Sequence, residues 1–185
     1  MTRMGEPTLI MTIGHGTRPL EVFCQILQTN QVEKVADVRT VPRSRHNPQY
    51  NRETLSAALA AVGIGYVHLP GLGGLRHPRR DSPNLGWRNS SFRGFADYMQ
   101  TPWFEENLLA LIDLAARERL ALMCAETVPW RCHRSLIADA LTVRGVKVEH
   151  ILAEHRLQEH RLTNFARVEG LRINYPPEEE RPADS

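Results

Sequence analysis

Eleven residues, Cys124-Ala-Glu-Thr-Val-Pro-Trp-Arg-Cys-His-Arg134, carry two thiols, a carboxylate, an imidazole and two guanidiniums. Packing alone does not require that mixture. Cys132 and His133 fall where a helix should begin, and the positive end of its dipole lowers a thiol pKa and makes thiolate chemistry available. Glu126 and Asp37 are candidate general acids or bases, ionised if enclosed among arginines and raised in pKa if desolvated without them. Arg39 and Arg134 are candidates to hold an anion. His15, between two glycines, is a further candidate catalytic group. Each has a plainer reading beside it: Asp37 and Arg39 as a structural ion pair, His15 as a turn residue bonded to the backbone, and Cys124 as a core residue at a strand end.

The elements that must position these groups follow from apolar periodicity. Short apolar runs at Leu9–Ile13, Val35–Val38, Tyr66–Leu69, Leu120–Met123 and Val148–Leu152 read as strands. Between them, Leu20/Phe23/Leu27, Leu55/Leu59/Val62, Phe104/Leu108/Leu111/Ala115 and Leu136/Ile137/Ala140/Leu141 each line one helical face. Asn51 and Thr101 stand at cap positions, Pro102 at a first turn, and Gly63 and Gly145 just past helix ends. Strands alternating with helices predict an α/β domain over residues 9–160: a Rossmann-like three-layer sandwich on a mainly parallel sheet of about five strands. In such a sheet the strand carboxyl ends share one edge. His15, Asp37 with Arg39, the Gly73-Gly74 loop and the Cys124–Arg134 loop should therefore converge.

Elsewhere the pattern is weaker. Residues 75–91 are rich in Gly, Pro, Arg and Asn without a period, and read as a binding loop or lid. Phe95–Met99 reads as a helical turn, and His155, His160 and Arg161 as a short terminal helix. Residues 1–8 and 170–185 read as flexible tails, the latter acidic at Glu178–Glu180.

Three motif readings can be tested on spacing. A phosphatase or rhodanese-type loop needs five residues between cysteine and arginine, but six separate Cys124 from Arg131. A dinucleotide fingerprint needs a third glycine after Gly14 and Gly16, where Pro19 stands, so no nicotinamide cofactor is expected. Cys124, Cys132 and His133 with His150 or His155 would make four zinc ligands, although the spacing matches no common zinc module.

Composition narrows the class further. Residues 39–93 hold nine arginines against two acids, a charge of +7 in a chain whose net charge is +2. Arginine forks suit phosphate and carboxylate oxygens, so a phosphorylated or nucleotide-type ligand, or nucleic acid itself, is the expected partner. Only two of the 23 basic residues are lysines, so the enrichment also reads as a chain-wide use of arginine. No apolar run approaches the roughly 18 residues of a membrane span, and no leader is visible. Three cysteines do not make a disulfide framework. The expected setting is the cytoplasm, with reduced thiols and no membrane partner.

The chain resembles the bacterial family catalogued as domain of unknown function 488. The resemblance runs through Thr12-Ile-Gly-His-Gly16, Asp37-Val-Arg39 with Pro42 and Ser44, Gly63-Ile-Gly-Tyr66, Leu72-Gly-Gly74, Met123-Cys-Ala-Glu126 and Cys132-His-Arg134. It implies a polar set of His15, Asp37, Arg39, Ser44, Glu126, Cys132, His133 and Arg134, with no activity attached. Residues and resemblance together point first to an enzyme-like domain. Arg39, Ser44, Gly73, Gly74 and Arg134 would bind an anionic ligand, while Glu126, Asp37, His15, Cys132 and His133 would carry out hydrolysis or group transfer. A non-catalytic nucleic-acid-binding module and a thiol- or metal-dependent redox sensor are the alternatives.

Overall fold

A computed structural model describes residues 5–180. The strands are β1 (Leu9–Gly14), β2 (Lys34–Asp37), β3 (Gly65–His68), β4 (Leu120–Cys124), β5 (Lys147–Ala153) and β6 (Arg156–Glu159), with a small hairpin of β7 (Arg167–Glu169) and β8 (Arg172–Asn174). The helices are α1 (Leu20–Thr29), α2 (Arg52–Ala61), α3 (Ser90–Tyr98), α4 (Pro102–Arg117) and α5 (Arg134–Thr142). Six strands form one sheet in the order β3-β2-β4-β1-β5-β6. Five are parallel, and β6 runs antiparallel to β5 at the edge. This is the Rossmann-like three-layer fold expected, with one strand more in the sheet.

Alternate residues of each buried strand feed opposite faces, as a period of two requires. Met11, Ile13, Val35, Ala121 and Met123 pack under α1 and α2 with Phe23, Leu27, Leu55 and Leu59. Ile10, Ala36, Leu120, Leu122 and Val148 pack on the other face with Phe95, Phe104, Leu108, Leu136 and Leu141 from α3, α4 and α5. Gly63 and Gly145 end their helices with φ of +77°, the left-handed conformation glycine adopts without strain. Thr101 Oγ1 accepts from Phe104 N at 3.3 Å and caps α4. Asn51 occupies the α2 cap position, but its Oδ1 accepts from Ser44 N at 2.9 Å, so it fastens the preceding loop instead.

Four expectations are corrected. The turn at Phe95–Met99 is the end of a full helix, α3, capped by Asn89, whose side chain accepts from Ser91 N and Phe92 N. The terminal helix around His155–Arg161 is instead strand β6, whose exposed residues carry no apolar period to reveal it. The arginine-rich loop is anchored rather than free to act as a lid: Asp97 of α3 accepts from Arg79 N, Ser82 Oγ and Asn84 Nδ2 at 2.6–2.8 Å. The stretch expected to begin a flexible tail at residue 170 is folded at its start. Ile173 and Tyr175 are buried, and Tyr175 donates its hydroxyl to Asp139 Oδ2 at 2.7 Å. Residues 1–4 and 181–185 of the expected tails lie outside the described residues.

Tyr175 thus acts as a stopper for the α5 face of the core. Tyr175→Phe should lower stability by about 1–3 kcal/mol, because it leaves a buried carboxylate oxygen short of a donor. Tyr175→Ala should cost about 3–5 kcal/mol. Urea denaturation of both variants checks this, and wild-type stability in Tyr175→Ala would mean that the terminal segment is not packed in solution.

Candidate thiol site at the strand carboxyl edge

The connection from β1 leaves through α1 on one face, and the connection from β4, its neighbour in the sheet, leaves through α5 on the other. Their carboxyl ends are therefore the switch point at which α/β sheets bind ligands. His15 N donates to Cys124 O and Gly16 N to Ala125 O, each at 2.9 Å, laying the loop after β4 over the end of β1. The contact is so close that a Cβ on Gly14 would run into the Glu126 carbonyl.

Cys124 ends β4, and Cys132 precedes α5 after a short 3-10 turn at Pro129–Arg131. Their Sγ atoms are 2.8 Å apart, both are free thiols, and both are buried, Cys132 showing 7% of its surface. Around Cys132 Sγ stand His133 Nδ1 at 3.5 Å and the backbone N–H of Arg134 at 3.4 Å. His133 Nε2 lies 3.0 Å from Leu72 O and 3.2 Å from Val38 O. Two carbonyls there call for a proton on Nε2, so Nδ1 is the ring nitrogen that faces the thiol. His133 fits only because Gly74 is glycine: a Cβ there would lie 2.6 Å from His133 Nδ1. The hydrogen bond from the Cys124 thiol holds the Cys132 pKa well below the ordinary thiol value, aided by His133 and Arg134. Burial pushes Cys124 the other way. The pair is thus polarised, with Cys124 the donor and Cys132 the thiol that ionises more easily.

The remaining expected residues are at this edge but engaged with the protein. Asp37 Oδ1 accepts from Arg39 N at 3.1 Å and Nε at 2.9 Å, and Oδ2 accepts from Arg39 Nη2 at 2.8 Å and the Tyr66 hydroxyl at 2.5 Å. No carboxylate oxygen is left for acid–base work, so this is the structural ion pair. Arg39 Nη2 also donates to Tyr50 O, while Nη1 is buried without a partner. His15 stacks on Tyr50 with ring centres 4.1 Å apart and gives its Nδ1 proton to Gly16 O at 2.7 Å. Its Nε2 is buried and unpartnered, and burial lowers its pKa to about 4. Ser44 Oγ accepts from Asn47 N and closes a turn. A Cβ on Gly73 would meet Thr40, so Gly73 and Gly74 make room for neighbouring side chains. Glu126 is exposed, its Oε1 accepting from Val128 N at 3.3 Å.

Arg134 is the largest correction. Expected to hold a ligand, it is fully buried, with Nη1 donating to Thr12 Oγ1 at 3.1 Å and Nη2 to Glu126 O at 2.7 Å. From Thr12 a one-way chain of hydrogen bonds follows. The Thr12 hydroxyl donates to His150 Nδ1 at 2.6 Å, His150 Nε2 to His160 Nδ1 at 2.9 Å, and His160 Nε2 to Asp139 Oδ1 at 2.8 Å. Asp139 also accepts from Thr163 N, the Thr163 hydroxyl and the Tyr175 hydroxyl. The sequence reading missed this network. The sequence offers His150 only as an alternative to His155 for a fourth zinc ligand and His160 only within a terminal helix, and His155 is exposed beside Glu154. The network's members come from five separate stretches, and no local pattern joins them. Among the described residues, no group of three or more His, Cys, Asp or Glu is arranged to hold a metal.

The geometry defines a Rossmann-like α/β protein with a thiol–imidazole cluster at its switch point. The chain belongs to the family described as domain of unknown function DUF488, whose model matches residues 19–141, more than half of its length. The Thr12–Gly16 motif lies before that match. No curated protein and no solved structure matches the chain. Among the described residues, no helix is long and apolar enough to cross a membrane.

Two buried imidazoles tie stability to pH. His15 and His150, lowered to about 4 and about 3 mainly by burial, both protonate more readily in the unfolded chain, where the value is 6.5. Their contribution is complete above pH 6.5. It falls as the pH drops toward 4 for His15 and toward 3 for His150, each by up to about 1.4 kcal/mol per pH unit. Denaturation midpoints at pH 7, 5.5 and 4.5 should decline, and His150→Asn should flatten the slope. A constant midpoint over this range would show that neither ring is buried neutral.

Proposed function

We propose that this protein is a thiol-redox protein in which Cys132 reacts first and Cys124 resolves. The observation that carries the proposal is the 2.8 Å approach of the two Sγ atoms, with Cys132 at the start of α5 beside His133. A disulfide needs the sulfurs to close to about 2.05 Å, a small further movement. With a hydroperoxide as oxidant, His133 Nδ1 takes the Cys132 proton, the thiolate attacks one peroxide oxygen, the O–O bond breaks, and the leaving oxygen takes that proton back from Nδ1. Cys132 is then a sulfenic acid. Cys124 attacks its sulfur, the S–O bond breaks, and the departing hydroxide takes the Cys124 proton and leaves as water. Two thiols and one hydrogen peroxide give one disulfide and two waters, and an external dithiol returns the pair to the reduced state.

Hydrolysis or group transfer by Glu126 and Asp37 has less support, since Asp37 is fully engaged and Glu126 faces solvent. A phosphorylated or nucleotide-type ligand, or nucleic acid, is a second reading supported by two observations. The unpartnered atoms Arg39 Nη1 and His15 Nε2 are buried at the same edge, and the exposed side chains of Arg43 and Arg45 follow β2. Thermal shift against nucleotides and short DNA at low and high salt separates the two forms. A salt-resistant nucleotide shift lost in Arg39→Lys supports the small-molecule pocket, and a response to DNA alone that disappears with salt supports a polymer-binding face.

The thiol proposal is tested by alkylation and mass spectrometry. The pH–rate profile of Cys132 alkylation should have its midpoint at least about one unit below the ordinary 8.5, and His133→Gln should raise it. Peroxide should remove two thiols from the wild-type protein with loss of two hydrogens in mass. Cys124→Ser should stop at a sulfenic acid trapped by dimedone, and Cys132→Ser should form no disulfide. An ordinary midpoint, or persistence of both thiols under peroxide, would overturn the assignment.

A further inference from the structure

Between α5, β5, β6 and the segment after β6 lies a cavity of about 350 Å³, open to solvent and separate from the thiols. That volume is at the lower end of the roughly 300–1,000 Å³ typical of small-molecule sites. Its walls are aromatic. Trp87 and Phe165 pack edge to face at 4.8 Å, and Trp130, 61% exposed, stands at the rim and stacks on no ring among the described residues. A large apolar ring left in water beside a cavity supplies one face of a sandwich. Trp87 Nε1 is buried with no acceptor, although a buried donor normally finds one. At the mouth, Arg161 is exposed and makes no ion pair among the described residues. Glu159, the acid at the same mouth, lies in the field of Lys147 across the β5–β6 pair.

The cavity therefore offers aromatic ring surface and, among the described residues, a guanidinium without an ion-pair partner in its lining. His150 and His160 in its floor have both ring nitrogens engaged in the chain to Asp139, so they present ring surface rather than open hydrogen-bonding capacity. We propose that this cavity binds a flat aromatic or heteroaromatic carboxylate. The ring lies against Trp130, and the anionic group faces Arg161. The site stands independently of the thiol chemistry, although Trp130 sits in the turn between the two cysteines, so an occupant would touch the segment that carries Cys132.

The test reads the indole N–H signals of the ¹⁵N-labelled full-length chain. Its three tryptophans are Trp87, Trp103 and Trp130, and Trp103 on α4, away from the cavity, is the internal control. Titration with 2-naphthoate should move the Trp87 and Trp130 signals saturably and leave Trp103 in place. Trp130→Ala, a change at an exposed position, should weaken binding at least about tenfold, or roughly 1.4 kcal/mol. Arg161→Ala should weaken 2-naphthoate and leave the neutral 2-naphthamide unchanged. Cys132→Ser should bind as wild type, which separates failure here from failure of the redox assignment. No saturable shift at millimolar probe, or equal movement of all three indoles, would overturn the site. Equal affinity for amide and carboxylate would overturn the anionic class.

Discussion

A guanidinium that touches no carboxylate among the described residues sits at the centre of this protein. Arg134 is buried completely, and such a charge is tolerated only where oxygen atoms replace the water it has lost. The carbonyls of Glu126 and Thr127 and the hydroxyl of Thr12 serve that purpose at the two Nη atoms, while Nε is buried without a partner. In doing so they fix the loop after β4 against the end of β1 and set where Cys132 stands relative to Cys124. The carboxylate at the end of its hydrogen-bonded path is Asp139. Every bond from Thr12 through His150 and His160 donates toward Asp139, so the hydrogen-bonded path is polarised in one direction. Thiol site, terminal segment and the β5–β6 edge are joined through this one side chain.

The electrostatics of the edge favour sulfur over carboxylate chemistry. Asp37, the only buried acid among the expected catalytic groups, has four donors and holds Arg39 rather than a substrate. Cys132 has the opposite surroundings: donors and a helix start lie around its sulfur, in a residue that keeps 7% of its surface. A thiolate needs that combination, because donors without access give only a structural residue.

Much of this was legible in the sequence. Strands and helices followed from apolar spacing, and the strand-to-helix position of Cys124–Arg134 placed both thiols at the shared edge. What was not legible was direction and partnership. Arg39 and Arg134 were recognisable as cations, but no sequence pattern shows that Arg134 would face inward to backbone carbonyls. Asp139 lies one residue from the apolar stripe of α5, with nothing local to mark it, while its partners arrive from His160, Thr163 and Tyr175. The β6 strand and the β7–β8 hairpin escaped because they are short and largely exposed, so nothing forces an alternating pattern on them. Tyr175 was hidden by the acidic run that follows it.

The edge strand β6 carries one more consequence. Every residue of Arg156-Leu-Gln-Glu159 is exposed, and pairing with β5 breaks register between Ile151 and Ala153. A sheet of buried parallel strands that stopped at β5 would present Val148 and Ile151 beside open backbone amides, a template for another copy of the chain to extend. A four-residue charged strand with a bulge in its pairing is a poor template of that kind. With β6 as its border, the sheet offers a weak pairing edge on the side where the cavity opens.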